Sequence, residues 1–131
     1  MDYLKRCKRA SIIVVFDIES NSYLSVFKDC VNFNIPGGKC FVNESFEDAV
    51  VRELEEETGA IVKKEDIKLL LKEKCGDYIV ATYFTLFYNG KLETDEDHKI
   101  GFVPLEYMLS NSNKDWLNYH KKIYDMIKNN Y

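Results

Sequence analysis

Between Ser11 and Asp17 the chain runs through a block of apolar and β-branched residues, and from Ser22 to Lys28 apolar and polar positions alternate. Both patterns predict strands. A third short strand is expected over Val31 to Ile35, ending at Pro36-Gly37-Gly38, where the chain changes direction. The periodicity then becomes helical. Ser45 with Asp48 three residues on forms a capping-box arrangement, and Gly59 can take the left-handed conformation that ends a helix, so the predicted helix covers Phe46 to Thr58. Ile67 to Lys74 follows as a strand. Tyr78 to Tyr88, rich in β-branched and aromatic residues, is the strongest strand pattern in the chain, and Ile100 to Val103 is a short one. Near the C-terminus Trp116, His120, Ile123 and Ile127 form the apolar stripe of an amphipathic helix that should cover one face of the sheet. Mixed strands with helices in the middle and at the end predict the α/β (α+β) class, a sandwich with the sheet covered on two sides.

Composition narrows this picture. The 131 residues are 46% hydrophobic and 14% aromatic and show no repeat or Pro/Ser-rich linker, which fits a single domain over 1–131 and argues against a disordered chain. Eighteen basic residues face 22 acidic ones, a net charge of −4 that argues against a basic nucleic-acid coat, so no duplex nucleic acid partner is expected. The run Ile12 to Phe16 is too short for a signal-peptide core or a membrane span, which predicts no membrane partner and a soluble, cytoplasmic protein. Cys7, Cys30, Cys40 and Cys75 form no C-x-x-C pair and read as reduced thiols.

The chemistry concentrates on the first helix. At about 100° per residue, Glu53 and Glu57 fall within about 20° of Phe46 and Glu56 about 80° from it. All three occupy or border the side where Ala49, Val50 and Leu54 pack, whereas Glu47, Asp48 and Glu55 point away. A merely solvated acidic face would not be placed there. Carboxylates at these spacings repel and raise one another's pKa unless something cationic intervenes, and Arg52 alone supplies one positive charge. A hard divalent cation is the natural partner, and a Mg²⁺ site built from carboxylates, waters and substrate phosphate oxygens suits this ligand set. Gly37 and Gly38, lacking a Cβ, would let a backbone carbonyl approach such an ion.

Gly38 to Ala60 resembles the Nudix box, G-x5-E-x7-R-E-U-x-E-E-x-G-U with U aliphatic, and matches it at Gly38, Glu44, Arg52, Glu53, Leu54, Glu56, Glu57 and Gly59, with the small Ala60 as the soft match. Ile35-Pro36-Gly37 and Gly101 to Glu106 also resemble strand ends of that family. The resemblance implies the Nudix-type (MutT-like) α/β/α sandwich, a mixed β-sheet between helices, and hydrolysis of a diphosphate linkage in a nucleoside diphosphate joined to another group. It implies that Glu53, Glu56 and Glu57 bind Mg²⁺ (or Mn²⁺ in its place) or activate water. It further implies a metal ligand from the Gly37 or Gly38 carbonyl and orienting roles for Arg52 and Glu44. Which glutamate is the base differs between members. A P-loop is excluded, because Gly38-Lys39 is followed by Cys40 and lacks the earlier glycine.

A second acidic cluster, Glu93, Asp95, Glu96 and Asp97, reads either as a solvated loop or as a source of a fourth catalytic or metal-binding acid, for which Glu96 has the family's spacing from Phe102. His98 beside it reads as a solvated loop residue and His120 as a packing residue. For substrate binding, Lys39 can neutralise a phosphate, and Tyr78 stands where diadenosine polyphosphate hydrolases of the family tend to carry a tyrosine, a weak signal in a chain with nine of them. Trp116, Asn113 and Asn118 could stack on or read a base, although Trp116 also lies on the packing stripe. The expected partner is thus a small-molecule nucleotide. A nucleoside triphosphate, oxidised or otherwise modified, is the leading substrate; a diadenosine polyphosphate hydrolase and a non-catalytic nucleotide-binding sensor are the alternatives. Residues 44–57 and 93–97 hold half of the 22 acidic residues and one basic one, so the remainder of the chain carries a positive excess that suits a phosphate substrate.

Overall fold

The computed structural model describes residues 6–28, 32–94, 97–111 and 113–131. Strand β1 (Arg6–Asp17) begins well before its apolar block. Its polar start is drawn into the sheet by neighbours on both sides. Arg9 and Ala10 pair in parallel with Ile79 and Val80, while Ala10 and Ser11 pair antiparallel with Lys39 and Gly38. The other strands are β2 (Ser22–Phe27), β3 (Gly37–Phe41), β4 (Lys68–Cys75), β5 (Tyr78–Thr85) and β6 (Lys99–Pro104). They form one six-stranded mixed sheet in the order β4-β5-β1-β2-β6, with β3 paired to the first half of β1.

Successive side chains of β1 point to opposite faces. Ala10, Ile12, Val14 and Phe16 join one core with Ile123 and Ile127 of α2 (Lys114–Asn130). Ile13 and Val15 join the other with Leu24 and with Val50 and Leu54 of α1 (Phe46–Thr58). The predicted sandwich is therefore the observed one, with a helix on each face of the sheet. Ile13, Leu24, Val50 and Leu54 have no exposed surface, and each contributes about 1.5–3 kcal/mol on burial. That apolar anchoring is strong enough to hold a carboxylate such as Glu53 on the packed side of α1.

The third strand lies after Pro36 rather than before it. Asn34 makes only an isolated bridge to Val26, Val31 lies outside the described residues, and pairing with β1 begins at Gly37. Gly37 has φ +153°, and a Cβ there would sit 2.1 Å from the Ser11 carbonyl oxygen, so only glycine lets the chain lie this close against β1. β5 stops earlier than its composition predicts. The Thr85 hydroxyl bonds the backbone of Phe87 in both directions at 3.2 Å and turns the chain outward. Short 3₁₀ turns at Lys64–Asp66 and Leu105–Ser110 were not legible in the periodicity. Cys7, Cys40 and Cys75 are free thiols, while Cys30 lies outside the described residues. No described helix is long and apolar enough to cross a membrane.

Candidate active site

α1 is fixed by local chemistry at both ends. The Ser45 hydroxyl accepts the Asp48 N–H at 3.0 Å, and Gly59, at φ +80°, donates its N–H to the Glu55 carbonyl. The bounds match the expected ones, and so does the facing of the acids. Glu53 is only 8% exposed, Glu57 is half-buried, and Glu47 and Glu55 are exposed. Glu56 reaches the rim, with half of its side chain exposed.

β3 and α1 meet at these acids. A Cβ on Gly38 would stand 2.7 Å from the Glu53 carboxyl carbon and 2.9 Å from both of its oxygens, so the backbone there is in direct contact with the carboxylate. The Gly37 N–H donates to Glu57 Oε1 at 2.7 Å. Arg52 joins the rest. Its Nε and one terminal nitrogen grip both oxygens of Glu44 at 2.8 Å, and the other terminal nitrogen donates to Glu53 at 2.9 Å and to Glu56 at 3.3 Å. Its guanidinium also stacks 4.2 Å from the Phe41 ring centre. Arg52 is held firmly protonated by Glu44, and Glu44 is held below the usual carboxylate range first by Arg52 and further by the Phe41 N–H, against the opposing effect of burial.

Among the described residues no three acidic, histidine or cysteine side chains converge as a group able to hold a metal ion. The reason is visible in the contacts. Mutually repelling carboxylates each take the nearest donor, Arg52 for Glu53 and Glu56 and the Gly37 N–H for Glu57. The donor set nevertheless fits a hard divalent cation. It consists of carboxylate oxygens beside the glycine backbone of β3, and at Gly38 no Cβ stands between that backbone and Glu53.

The segment carrying the second acidic cluster is tied to the same helix end. The Glu93 N–H donates to the Thr58 carbonyl at 2.9 Å, the Thr94 hydroxyl to that of Glu56 at 3.1 Å, and His98 Nε2 lies 2.7 Å from that of Glu57. His98 is thus half-buried and bonded to α1, not a solvated loop residue. Gly59 is required twice over, since a Cβ there would also meet the Lys91 carbonyl at 2.1 Å. Glu96 itself lies outside the described residues.

Glu57, Gly37, Gly38 and Lys39 form part of the wall of a cleft of about 410 Å³ that continues to Tyr78, Trp116, Asn34, Asn111 and His120. Lys39 Nζ lies 5.2 Å from the Tyr78 ring centre, so the two predicted substrate-binding residues meet in this cleft. Trp116 packs against the core and lines the cleft as well. Asn113 does not face it, being the N-cap of α2, and Asn118 lines a separate small crevice beside Glu73 and Lys122. Asn34, Asn111 and His120 were missed. They come from three distant segments, and no local pattern in the sequence marks them.

The model of the NUDIX domain family matches residues 8–126. The chain belongs to that family. Nudix proteins hydrolyse diphosphate linkages in nucleoside diphosphate-linked compounds, and this chain is by membership a pyrophosphohydrolase. Solved Nudix structures superpose well on it. A MutT structure from work on the Aliivibrio salmonicida and Vibrio cholerae proteins has 19% identity, TM-score 0.73, and covers 95% of this chain and 100% of its own. MutT from Bacillus halodurans has 21% identity, TM-score 0.71, and covers 90% and 82%. An ADP compounds hydrolase has 17% identity, TM-score 0.66, and covers 92% and 71%. At these identities the likeness is one of fold. A search of curated proteins returned no significant sequence match.

Proposed function

We propose that residues 1–131 form a single cytoplasmic Nudix domain that uses Mg²⁺, or Mn²⁺ in its place, to hydrolyse a diphosphate linkage of a nucleoside triphosphate, oxidised or otherwise modified bases included. The observation that carries this reading is the continuity of the cleft. Glu57 and the Gly37-Gly38-Lys39 backbone stand in the same wall as Trp116, Tyr78 and two asparagines, so phosphate chemistry and a base-sized aromatic pocket adjoin. A volume near 410 Å³ suits one nucleoside.

Glu53, Glu56 and Glu57, with the carbonyls of Gly37 and Gly38, would hold the cation, which when bound neutralises the diphosphate and acidifies the attacking water. Arg52 and Glu44 hold these acids in register, and the Gly37 N–H fixes the Glu57 carboxylate. Lys39 meets the phosphates. Tyr78 stacks against the base, and Glu96 supplies a further acid. One of the glutamates takes the water's proton, and the displaced phosphate oxygen leaves as a stabilised anion with no covalent intermediate.

Glu53→Gln and Glu57→Gln test the assignment. Glutamine keeps an oxygen to accept the Gly37 N–H, so folding should survive while Mg²⁺-dependent turnover falls about 10²–10⁴-fold. Wild-type rates in both variants would refute it. Tyr78 beside Lys39 keeps a second reading in view, a dinucleoside polyphosphate hydrolase. A panel of nucleoside triphosphates, oxidised purine nucleotides, dinucleoside polyphosphates, nucleotide sugars and capped RNA separates the two. Nucleotide binding without turnover on any of them would instead favour a sensor.

A further inference from the structure

We propose that His120 selects the base: its Nε2 presents a fixed hydrogen-bond acceptor to the cleft, favouring nucleotides whose base carries an N–H donor over those whose base carries none. This rests on the nucleotide reading above and extends it to a specificity-determining residue.

His120 is only 3% exposed, yet it lines the cleft. Its Nδ1 lies 3.1 Å from the Met108 carbonyl oxygen. A carbonyl can only accept, so Nδ1 carries the hydrogen, and a neutral ring then has a bare lone pair on Nε2. The ring is neutral because burial pushes its pKa below the ordinary histidine value, a shift that the Met108 carbonyl only partly opposes. Among the described residues Nε2 has no partner, yet no buried side-chain nitrogen or oxygen is left unsatisfied. Nε2 therefore touches accessible space, and the space beside this buried ring is the cleft.

The other polar side chains near the aromatic end leave the question of specificity open. Asn111, whose Oδ1 accepts the Asn113 N–H at 2.8 Å, is left with its NH2 as a donor, which the ring nitrogens of any purine can meet, and the Asn34 amide can rotate to offer either sense. His120 cannot, because Met108 fixes its tautomer. The Trp116 ring packs against the imidazole, tilted to it with ring centres 6.0 Å apart. A base stacked in this cleft meets aromatic faces that accept any base and one acceptor that does not. Discrimination by sense of hydrogen bond is the kind a pocket enforces well, because a buried acceptor left unmatched is costly.

Trp116 is the only tryptophan in the chain, so its fluorescence reports occupancy of the cleft without turnover or metal. AMP and GMP, whose bases carry N–H groups, should bind the wild-type protein roughly tenfold more tightly than purine riboside 5′-monophosphate, whose base carries none. His120→Phe should bind all three with that ratio reduced to about one. In the unaltered protein the ¹⁵N signal of His120 Nε2 should shift on adding AMP and not on adding the purine compound, which keeps the test valid if the variant fails to fold. Equal affinities in the wild type, an unchanged ratio in His120→Phe, or no response to any of the three would overturn the proposal. Turnover without the ratio defeats this proposal alone; the ratio without turnover on any substrate defeats the hydrolase reading and leaves this one standing.

Discussion

Arg52→Gln is the change that most directly probes how the acidic site is held together. In the native protein one guanidinium serves Glu44, Glu53 and Glu56, and the side chains of Arg52, Glu44 and Glu53 are 21%, 12% and 10% exposed. Exposed ion pairs contribute about 0–1 kcal/mol, whereas removing one partner of a buried pair costs about 3–5 kcal/mol because the other charge is stranded. The Glu44 and Glu53 contacts lie close to the buried limit. Half-exposed Glu56 adds little. Losing the fork should therefore cost on the order of 3 kcal/mol. With a slope of about 2 kcal/mol per M for a domain of this size, the urea midpoint should fall by about 1.5 M.

The loss should also depend on pH. Arg52 first, and then the Phe41 N–H, hold the folded-state pKa of Glu44 below its unfolded value. A depressed carboxylate stabilises the fold above its unfolded pKa of about 4.3, and that contribution disappears as pH falls through the folded value. The gap between wild type and Arg52→Gln should be full at neutral pH and shrink below about pH 4. Arg52→Lys, which keeps the charge without the two-pronged geometry, should fall between them. Urea unfolding followed by circular dichroism at both pH values measures this. A midpoint shift under about 0.3 M, or a gap as wide at about pH 3 as at neutrality, would refute the reasoning.

Two further outcomes follow from close contacts. Gly38→Ala places a methyl 2.7 Å from the Glu53 carboxyl carbon, so Glu53 must move; turnover should fall by about tenfold or more with a melting temperature close to wild type, and undiminished turnover would show that this contact does not set the acid's position. Tyr119→Phe removes a buried hydroxyl that lies 2.7 Å from the Thr82 hydroxyl and donates to the Val80 carbonyl at 3.1 Å, and whose pKa burial pushes up to about 12. It should cost about 1–2 kcal/mol, or roughly 3–6 °C in melting temperature by calorimetry, with turnover unchanged.

What was legible in the sequence was what local rules decide. The bounds of α1 follow from Ser45 and Gly59, and the inward placement of Glu53 and Glu57 follows from the helical period. Less legible was whatever depends on distant partners. β1 reaches back to Arg6 only because β3 and β5 flank it, and β3 begins at Gly37 because the β1 backbone lies within 2.1 Å of where a side chain would be. The cleft is the extreme case. Asn34 precedes β3, Asn111 follows a 3₁₀ turn and His120 lies on α2, so nothing in their sequence neighbourhoods links them. Trp116 could be read either way, and it both packs against the core and lines the cleft.

The position of the acids along α1 is itself an argument. Glu55, Glu56 and Glu57 fill the last turn, which contains no basic residue, although the helix macrodipole makes this the end where negative charge is least favourable. A helix selected for stability alone would place lysine or arginine there. The fold offsets the penalty in part by supplying donors to the terminal carbonyls: the Gly59 N–H to Glu55, Thr94 to Glu56 and the Glu93 N–H to Thr58, with His98 placed against that of Glu57. These bonds satisfy the backbone and leave the negative charge of the side chains in place. Arg52 balances one unit of it from outside the last turn. A divalent cation at Glu53, Glu56 and Glu57 would meet both the carboxylates and the negative end of the helix, so the local cost of this arrangement is itself support for the metal-dependent reading.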